Sequence, residues 1–221
     1  MRGLCVVALL LLGCTDGTDS DTETDSDGGT DTDIGTDTDI GTEADTDADT
    51  EPPYTGSLRI FKTEDVPADF GGPTGADALC DADENNPDTR STYKALLVGG
   101  GRVACAEADC ANAAAGQTDW VLYPDEEYVL ADGTALFTTN ADAIYTAWPM
   151  DNAIEAAGDN FWTGMRRNWT AFTDFQCNDW TTNSSSVSGR VGWTAGSDSG
   201  FLEGGSYTCN DTDTPLICVE Q

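Results

Sequence analysis

The residues best suited to bind a ligand lie in the polar segment 166–206. Trp169 and Trp180 stand among polar residues there, so their rings could stack on a sugar or pack against a partner protein. Long loops of this kind are uncommon in a compact domain unless they bind something or are held covalently. We therefore expect this segment to recognise a ligand, and its candidate contact residues are Arg166, Arg167, Trp169, Asn178, Asp179 and Trp180.

The absence of histidine removes several kinds of catalytic site. Ser-His-Asp and Cys-His nucleophilic systems need an imidazole, and the usual zinc sites use histidine as a ligand. Paired carboxylates could serve a glycoside hydrolase, but nothing in the sequence places two of them around a cleft. We expect a binding protein without catalytic residues, and not an enzyme.

The cysteines favour disulfide bonds over a metal site. Six of them follow the acidic N-terminal region, and an even number in an exported chain is typical of a disulfide framework. A metal site would lack both histidine and a CxxC pair. The residues alone leave the pairing open among Cys80, Cys105, Cys110, Cys177, Cys209 and Cys218.

The N-terminus has the features of an export signal. Arg2 precedes an apolar run at residues 4–12, which is too short to span a bilayer as a mature helix but is typical of a signal peptide. The run ends in Gly13 and Cys14, which resembles the lipobox of bacterial lipoproteins. We predict a signal peptide at residues 1–13 and acylation of Cys14, with anchoring in the cell envelope, at the outer membrane or cell surface. The alternative is an ordinary signal peptide with an incidental cysteine.

Residues 14–53 are predicted to form a disordered acidic tether. Asp, Thr, Gly and Ser dominate the segment, and two isoleucines without any aromatic residue cannot bury enough apolar surface to fold. Repulsion between its carboxylates extends the chain, which could reach on the order of 120 Å when fully stretched. The domain would then stand clear of the membrane.

Residues 54–221 should form one α+β domain of short strands and one or two helices. We predict a helix over residues 75–82 with Thr74 as its N-cap, and a helical turn within 141–148. The domain carries 26 acidic and eight basic residues, so its charge disfavours nucleic acid as a partner. The predicted strands lie at 57–62, 93–98, 120–123, 128–130 and 136–137, with a further one beginning at Phe161.

Several short motifs occur in a recognisable order along residues 57–221. They are residues 75–80, 93–97, 119–122, 128–133, 162–165, 177–180 and 217–219. Together they resemble the bacterial endostatin-like family known as DUF1554, a variant of the C-type lectin-like fold that is common in exported lipoproteins. The resemblance implies short mixed or antiparallel strands, long loops and disulfides, following the disordered linker.

The resemblance also implies a disulfide pairing and a set of core residues. The pairs carried over from lectin-like domains are Cys80–Cys218 and Cys177–Cys209, which leaves Cys105–Cys110 as a local bridge. Residues 162–165 resemble the core strand of such domains, so Trp162 is expected in the core, and Trp193 as well.

Calcium is the one cofactor that the resemblance raises. Sugar-binding C-type lectins hold calcium with a Glu-Pro-Asn or Gln-Pro-Asp loop and a Trp-Asn-Asp strand, and this chain has neither. Oxygen ligands are nevertheless present in the corresponding regions, and the candidate metal ligands are Glu203, Asn210 and Asp211.

We expect a lipid-anchored, surface-tethered binding module, adhesin-like, that recognises an extracellular protein or glycan through residues 166–206. Related endostatin-like lipoproteins imply extracellular-matrix proteins or complement regulators as partners. One alternative is a structural envelope lipoprotein without a specific ligand, and another is calcium-dependent carbohydrate binding.

Overall fold

Eight strands form two sheets in the computed structural model, which describes residues 56–221. One sheet has five strands in the order β2-β8-β1-β3-β4, and the other has three in the order β5-β6-β7. Among the paired strands of the described residues, only β1 and β3 run parallel. The strands are β1 Leu58–Asp65, β2 Tyr93–Ala95, β3 Glu127–Leu130, β4 Ala135–Thr138, β5 Asn160–Trp162, β6 Ser188–Trp193, β7 Gly205–Thr208 and β8 Pro215–Glu220. Two helices, α1 Gly72–Ala82 and α2 Cys177–Trp180, complete an α+β domain.

The first and last strands of the domain pair at the centre of the larger sheet. β1 and β8 are antiparallel, with Ile60 opposite Val219 and Phe61 opposite Cys218. Side chains alternate between the two faces of a strand, so Ile60 enters one hydrophobic cluster and Phe61 the other. The sheet is therefore covered on both faces, which explains why every residue of β8 is buried.

The first helix begins earlier than its sequence suggested. Thr74 is not its N-cap, because α1 begins at Gly72 and is preceded by Gly71 with φ of 88°. Only glycine adopts such a φ without strain, and Pro73 suits the first helical turn. Ala76 and Cys80, four residues apart on one face of the helix, are buried against β8 and its neighbours.

Several predicted strands and turns differ in type, although their apolar residues are buried. The 93–98 strand ends at Ala95, and residues 120–123 are not a strand even though Val121 and Leu122 are buried. Residues 141–148 form turns and bends and contain no helical turn. A short apolar run indicates burial more reliably than it indicates strand or helix.

The core prediction holds for Trp162 and is wrong for Trp193. Trp162 is fully buried between Trp180 and Val191, whereas 45% of Trp193 is exposed. Trp193 is the last residue of β6, and its indole lies over Gly158, where an added Cβ would come within 2.4 Å of Nε1. The end of the sheet leaves the rest of that ring in solvent.

The described residues contain three disulfides, two of which join parts of the domain that are distant in sequence. Cys80–Cys218 links α1 to β8, Cys177–Cys209 links α2 to the segment before β8, and Cys105–Cys110 closes a small loop. These are the pairs that the family resemblance implied.

The predicted signal peptide, the acylated Cys14 and the tether lie outside the described residues. Within residues 56–221, neither helix is long and apolar enough to cross a membrane.

Candidate ligand-binding cleft

An open polar cleft of about 480 Å³ forms where four loop segments meet. We call it the Trp148 cleft. The segments are the small disulfide loop, the stretch after β4, the loop after β5 and the start of a 3-10 turn before β7. Its lining residues are Asp109, Asn140, Thr146, Trp148, Arg167, Asn168 and Ser199.

Aromatic packing supports the cleft from beneath. Trp148 is half-buried and stacks on the buried Trp169, with ring centroids 6.5 Å apart and planes 20° apart. Tyr145 meets Trp148 edge-on, with the centroids 5.1 Å apart. The indole nitrogen of Trp169 donates to the carbonyl of Tyr145 at 2.9 Å, so Trp169 is a support for Trp148.

The hydroxyl of Tyr145 holds the loop that carries Trp148. Its oxygen lies 2.8 Å from the carbonyl oxygen of Ala147 and 2.7 Å from that of Pro149. Burial raises the pKa of Tyr145, and the charge of Asp151 raises it further. The hydroxyl therefore keeps its proton at neutral pH and remains a donor to these carbonyls.

Backbone contacts hold Arg167 while leaving its side chain exposed. The backbone N–H of Arg167 donates to Glu203 Oε2 at 2.9 Å, and the other oxygen of Glu203 pairs with the guanidinium of Arg190. A turn follows, in which Trp169 N–H donates to Arg166 carbonyl at 3.0 Å. Glu203 is thus a positioning residue for the Arg167 backbone.

The small disulfide loop places Asp109 beside Asn168. Cys105–Cys110 closes the loop, and the backbone N–H of Asp109 donates to the carbonyl of Asn168 at 2.8 Å. Asp109 has φ of 51°, a left-handed conformation that Asp tolerates better than most residues. The loop brings a carboxylate and an amide to the same wall of the cleft.

Arg167 carries the one cationic side chain of the described residues that has no partner. Its guanidinium has no carboxylate within 4.0 Å, no hydrogen-bond acceptor and no aromatic ring. The guanidinium of Arg166 instead lies 3.9 Å from the ring centroid of Phe172. All the other cations pair with carboxylates, namely Arg59, Lys62, Arg90, Lys94, Arg102 and Arg190.

The two tryptophans expected to stack on a ligand are both fully buried, which corrects that prediction. Trp180 packs on Phe70, with centroids 5.5 Å apart, and donates from its indole nitrogen to the carbonyl of Val98 at 2.8 Å. The polar residues that flank Trp169 and Trp180 in sequence belong to the loops that cover their indole rings. Trp169 and Trp180 are core residues of the two hydrophobic clusters.

The structure places Asn178 and Asp179 away from the lining of the Trp148 cleft. Both are exposed on α2, where Asp179 Oδ1 accepts from the backbone N–H of Gly100 at 2.9 Å. Asn178 lines a separate groove of about 500 Å³ together with Gln176 and Val187. Of the six candidate contact residues, only Arg167 therefore lines the Trp148 cleft.

The three candidate metal ligands do not form a metal site. Glu203 is engaged by Arg190, and Asp211 Oδ1 accepts from the backbone N–H of Asp213 at 3.0 Å and the hydroxyl of Thr214 at 2.7 Å. Asn210 is exposed. Across residues 56–221, no three Asp, Glu, Cys or His side chains are grouped so that they could hold a metal ion.

Sequence reasoning missed most of the Trp148 cleft because no local pattern encodes it. Its residues are separated by up to 90 positions, from Asp109 to Ser199, and each is an ordinary loop residue in its own segment. Trp148 in a Pro-containing loop was the one usable signal, since loop tryptophans are frequent in binding sites.

Comparison with known families gives one match. Residues 63–196, more than half of the chain, match the family model described as "Protein of unknown function (DUF1554)". This span contains every residue of the Trp148 cleft except Ser199. No curated protein matches the chain.

Proposed function

Because the chain belongs to the DUF1554 family, whose members are described as proteins of unknown function, we propose a function from its own geometry. The protein is a lipid-anchored, adhesin-like binding module that captures an extracellular protein or glycan in the Trp148 cleft. Binding and retention are its activity, and no catalytic step is part of the proposal.

The observation that carries the proposal is the unpaired Arg167 beside a half-buried tryptophan. Six of the eight cations of the domain pair with carboxylates and Arg166 lies over the ring of Phe172, so the guanidinium of Arg167 is the one that remains available to a ligand. An aromatic ring with a few polar groups around an open cleft is typical of small-ligand sites.

Export and anchoring are proposed from the N-terminal sequence and the disulfides. Residues 1–13 match the pattern of a lipoprotein signal, and Cys14 would carry the lipid. Three disulfides in one domain are typical of an oxidising compartment outside the cytoplasm. The tether of residues 14–53 would hold the domain away from the outer membrane or cell surface.

The finer fold assignment, a C-type lectin-like and endostatin-like domain, is also part of the proposal. Support comes from the pairing of β1 with β8 and from the Cys80–Cys218 bond between the first helix and the last strand. The second long-range bond, Cys177–Cys209, encloses a long loop region as in lectin-like domains.

A steric block of the cleft tests the proposal. Thr146 is exposed and lines the cleft, so T146W fills it, whereas T74W adds the same bulk on the exposed side of α1 outside the cleft. Cells displaying the full chain are applied to a glycan array and to immobilised extracellular-matrix proteins. We expect binding to at least one surface, which T146W abolishes and T74W retains.

Each other outcome argues against a specific part of the proposal. Absence of binding to every surface favours the structural envelope role. Retained binding by T146W places recognition elsewhere in the domain. Loss of binding in EDTA, with recovery on adding calcium, favours calcium-dependent carbohydrate binding.

A further inference from the structure

We propose that the Trp148 cleft binds a sugar ring that carries a single carboxylate, and that Arg167 pairs with this carboxylate. The inference rests on the proposed function and names the class of ligand that the cleft takes.

The unpaired guanidinium of Arg167 indicates that the ligand carries a negative charge. A guanidinium presents a planar set of donors that matches a carboxylate. No carboxylate of the described residues lies within 4.0 Å of the Arg167 guanidinium. Asp109 shares the lining, yet it forms no ion pair with Arg167. A ligand carboxylate would therefore be the partner that the protein does not provide.

The remaining lining groups suit the hydroxyls of a sugar. Asn140 Oδ1 accepts from the backbone N–H groups of Asp142 and Ile144, and Asn168 Oδ1 accepts from Thr170. These bonds orient the two amides and leave both amide nitrogens without an acceptor among the described residues. The amide nitrogens of Asn140 and Asn168 are free donors.

Free acceptors lie on the same lining. The carboxylate of Asp109 and the hydroxyls of Thr146 and Ser199 have no hydrogen-bond partner among the described residues. A sugar hydroxyl both donates and accepts, so it can use an amide nitrogen and a carboxylate together. Trp148 adds an apolar surface for the C–H face of the ring.

The net negative charge of the domain favours a small ligand with one charge over a polyanionic chain. With 26 acidic and eight basic residues from Tyr54 onward, the domain repels a sulfated or polyuronate chain, and one unpaired cation cannot offset many anionic groups. The volume of about 480 Å³ also fits one or two sugar rings and not a long segment.

Matched pairs of sugars test the inference. Glucuronic and galacturonic acid differ from glucose and galactose by a carboxylate in place of a hydroxymethyl group. Each is titrated into the purified full chain in detergent, and binding is followed by ligand-observed NMR. We expect at least one acid to bind about tenfold more tightly than its neutral counterpart, and Arg167→Gln to remove that difference.

Arg90→Gln is the charge-matched control. It removes the same charge from a side chain that is 89% exposed and lies outside the Trp148 cleft. We expect it to keep the preference for the acid, because only the general field changes. An equal loss in Arg90→Gln and Arg167→Gln would mean that the general field, and no specific pairing, selects the acid.

Further outcomes overturn the inference in distinguishable ways. Failure of both acids to bind up to their solubility limits excludes the ligand class, as does equal binding of acid and neutral sugar. If an N-acetyl-aspartyl peptide binds as tightly as the acids and depends on Arg167, the ligand is an acidic peptide. If T146W still blocks adhesion while Arg167→Gln has no effect, this inference fails and the proposed function stands.

Discussion

Two arginines of the same domain have opposite surroundings. Arg102 is 1% exposed, and its guanidinium donates to Asp77, to Asp119 and to the carbonyl of Ala95 at 2.6–3.0 Å. Burial lowers the pKa of Arg102, but the hydrogen bonds and charges of Asp77 and Asp119 outweigh it and the pKa is raised. Arg167 is exposed and has no such partners. The first is part of the scaffold, and the second is available to a ligand.

Replacing Arg102 by methionine tests its structural role. Arg102→Met preserves most of the volume but leaves Asp77 without its cation and Asp119 with Lys94 alone, so the free energy of unfolding should fall by about 3 kcal/mol. Urea unfolding of the full chain, followed by tryptophan fluorescence, measures it. Arg90→Met removes a cation whose side chain is 89% exposed and pairs with Asp88, so it serves as the control and should change little. Equal effects in the two variants would contradict the prediction.

At the scale of elements, α2 is a turn of left-handed helix. Its four residues have φ between 48° and 62°, and Trp180 N–H donates to Gln176 carbonyl at 2.7 Å as in a helical turn. Left-handed backbone costs about 1–2 kcal/mol for each residue with a Cβ. The Cys177–Cys209 bond and the buried indole of Trp180 hold both ends of the turn. Its middle residues, Asn178 and Asp179, are thereby kept on the surface.

A β-branched residue in this left-handed turn should destabilise the domain, because it tolerates a positive φ poorly. Asn tolerates positive φ better than most residues, whereas Val does not, so Asn178→Val should lower the free energy of unfolding by about 1–2 kcal/mol. Asn183→Val is the matched control, because Asn183 is exposed in the adjoining loop and its φ is not positive. Chemical unfolding of both variants gives the comparison, and equal stability of the two would show that the turn is not strained.

The whole domain is closed by contacts between its two ends. β1 and β8 pair at the centre of the five-stranded sheet, and Cys80–Cys218 adds a covalent link across 138 residues. Cys105–Cys110 spans five residues and constrains only its own loop. The two bonds therefore restrict the unfolded chain to very different extents.

Removal of these two bonds should have unequal effects. On the chain-entropy model, replacing Cys80 and Cys218 by alanine should lower the free energy of unfolding by about 5 kcal/mol, and replacing Cys105 and Cys110 by about 2 kcal/mol. The shifts in urea midpoint of the two double variants, measured on oxidised protein, test the ratio. Similar losses in both would indicate that loop length is not the dominant factor.

Some features follow from the amino-acid sequence by itself. The lack of histidine, the acidic charge and the even number of cysteines are properties of composition. The strands β1, β3 and β4 and the helix α1 were predicted because their apolar spacing and turn residues are local signals. The disulfide pairs came from the ordered motifs of the family and not from the cysteines alone.

Only the tertiary structure decided which side chains are buried and which meet at the cleft. Trp169 and Trp180 were predicted to face a ligand and are buried, while Trp193 was predicted to be buried and is 45% exposed. Burial depends on neighbours that are distant in sequence, and hydrophobic spacing within one loop does not contain them. The Trp148 cleft could not be predicted for the same reason, because its lining comes from four segments that are separate in sequence. That Arg167 has no partner also depends on tertiary structure, because the ion pairs of the domain are all formed elsewhere.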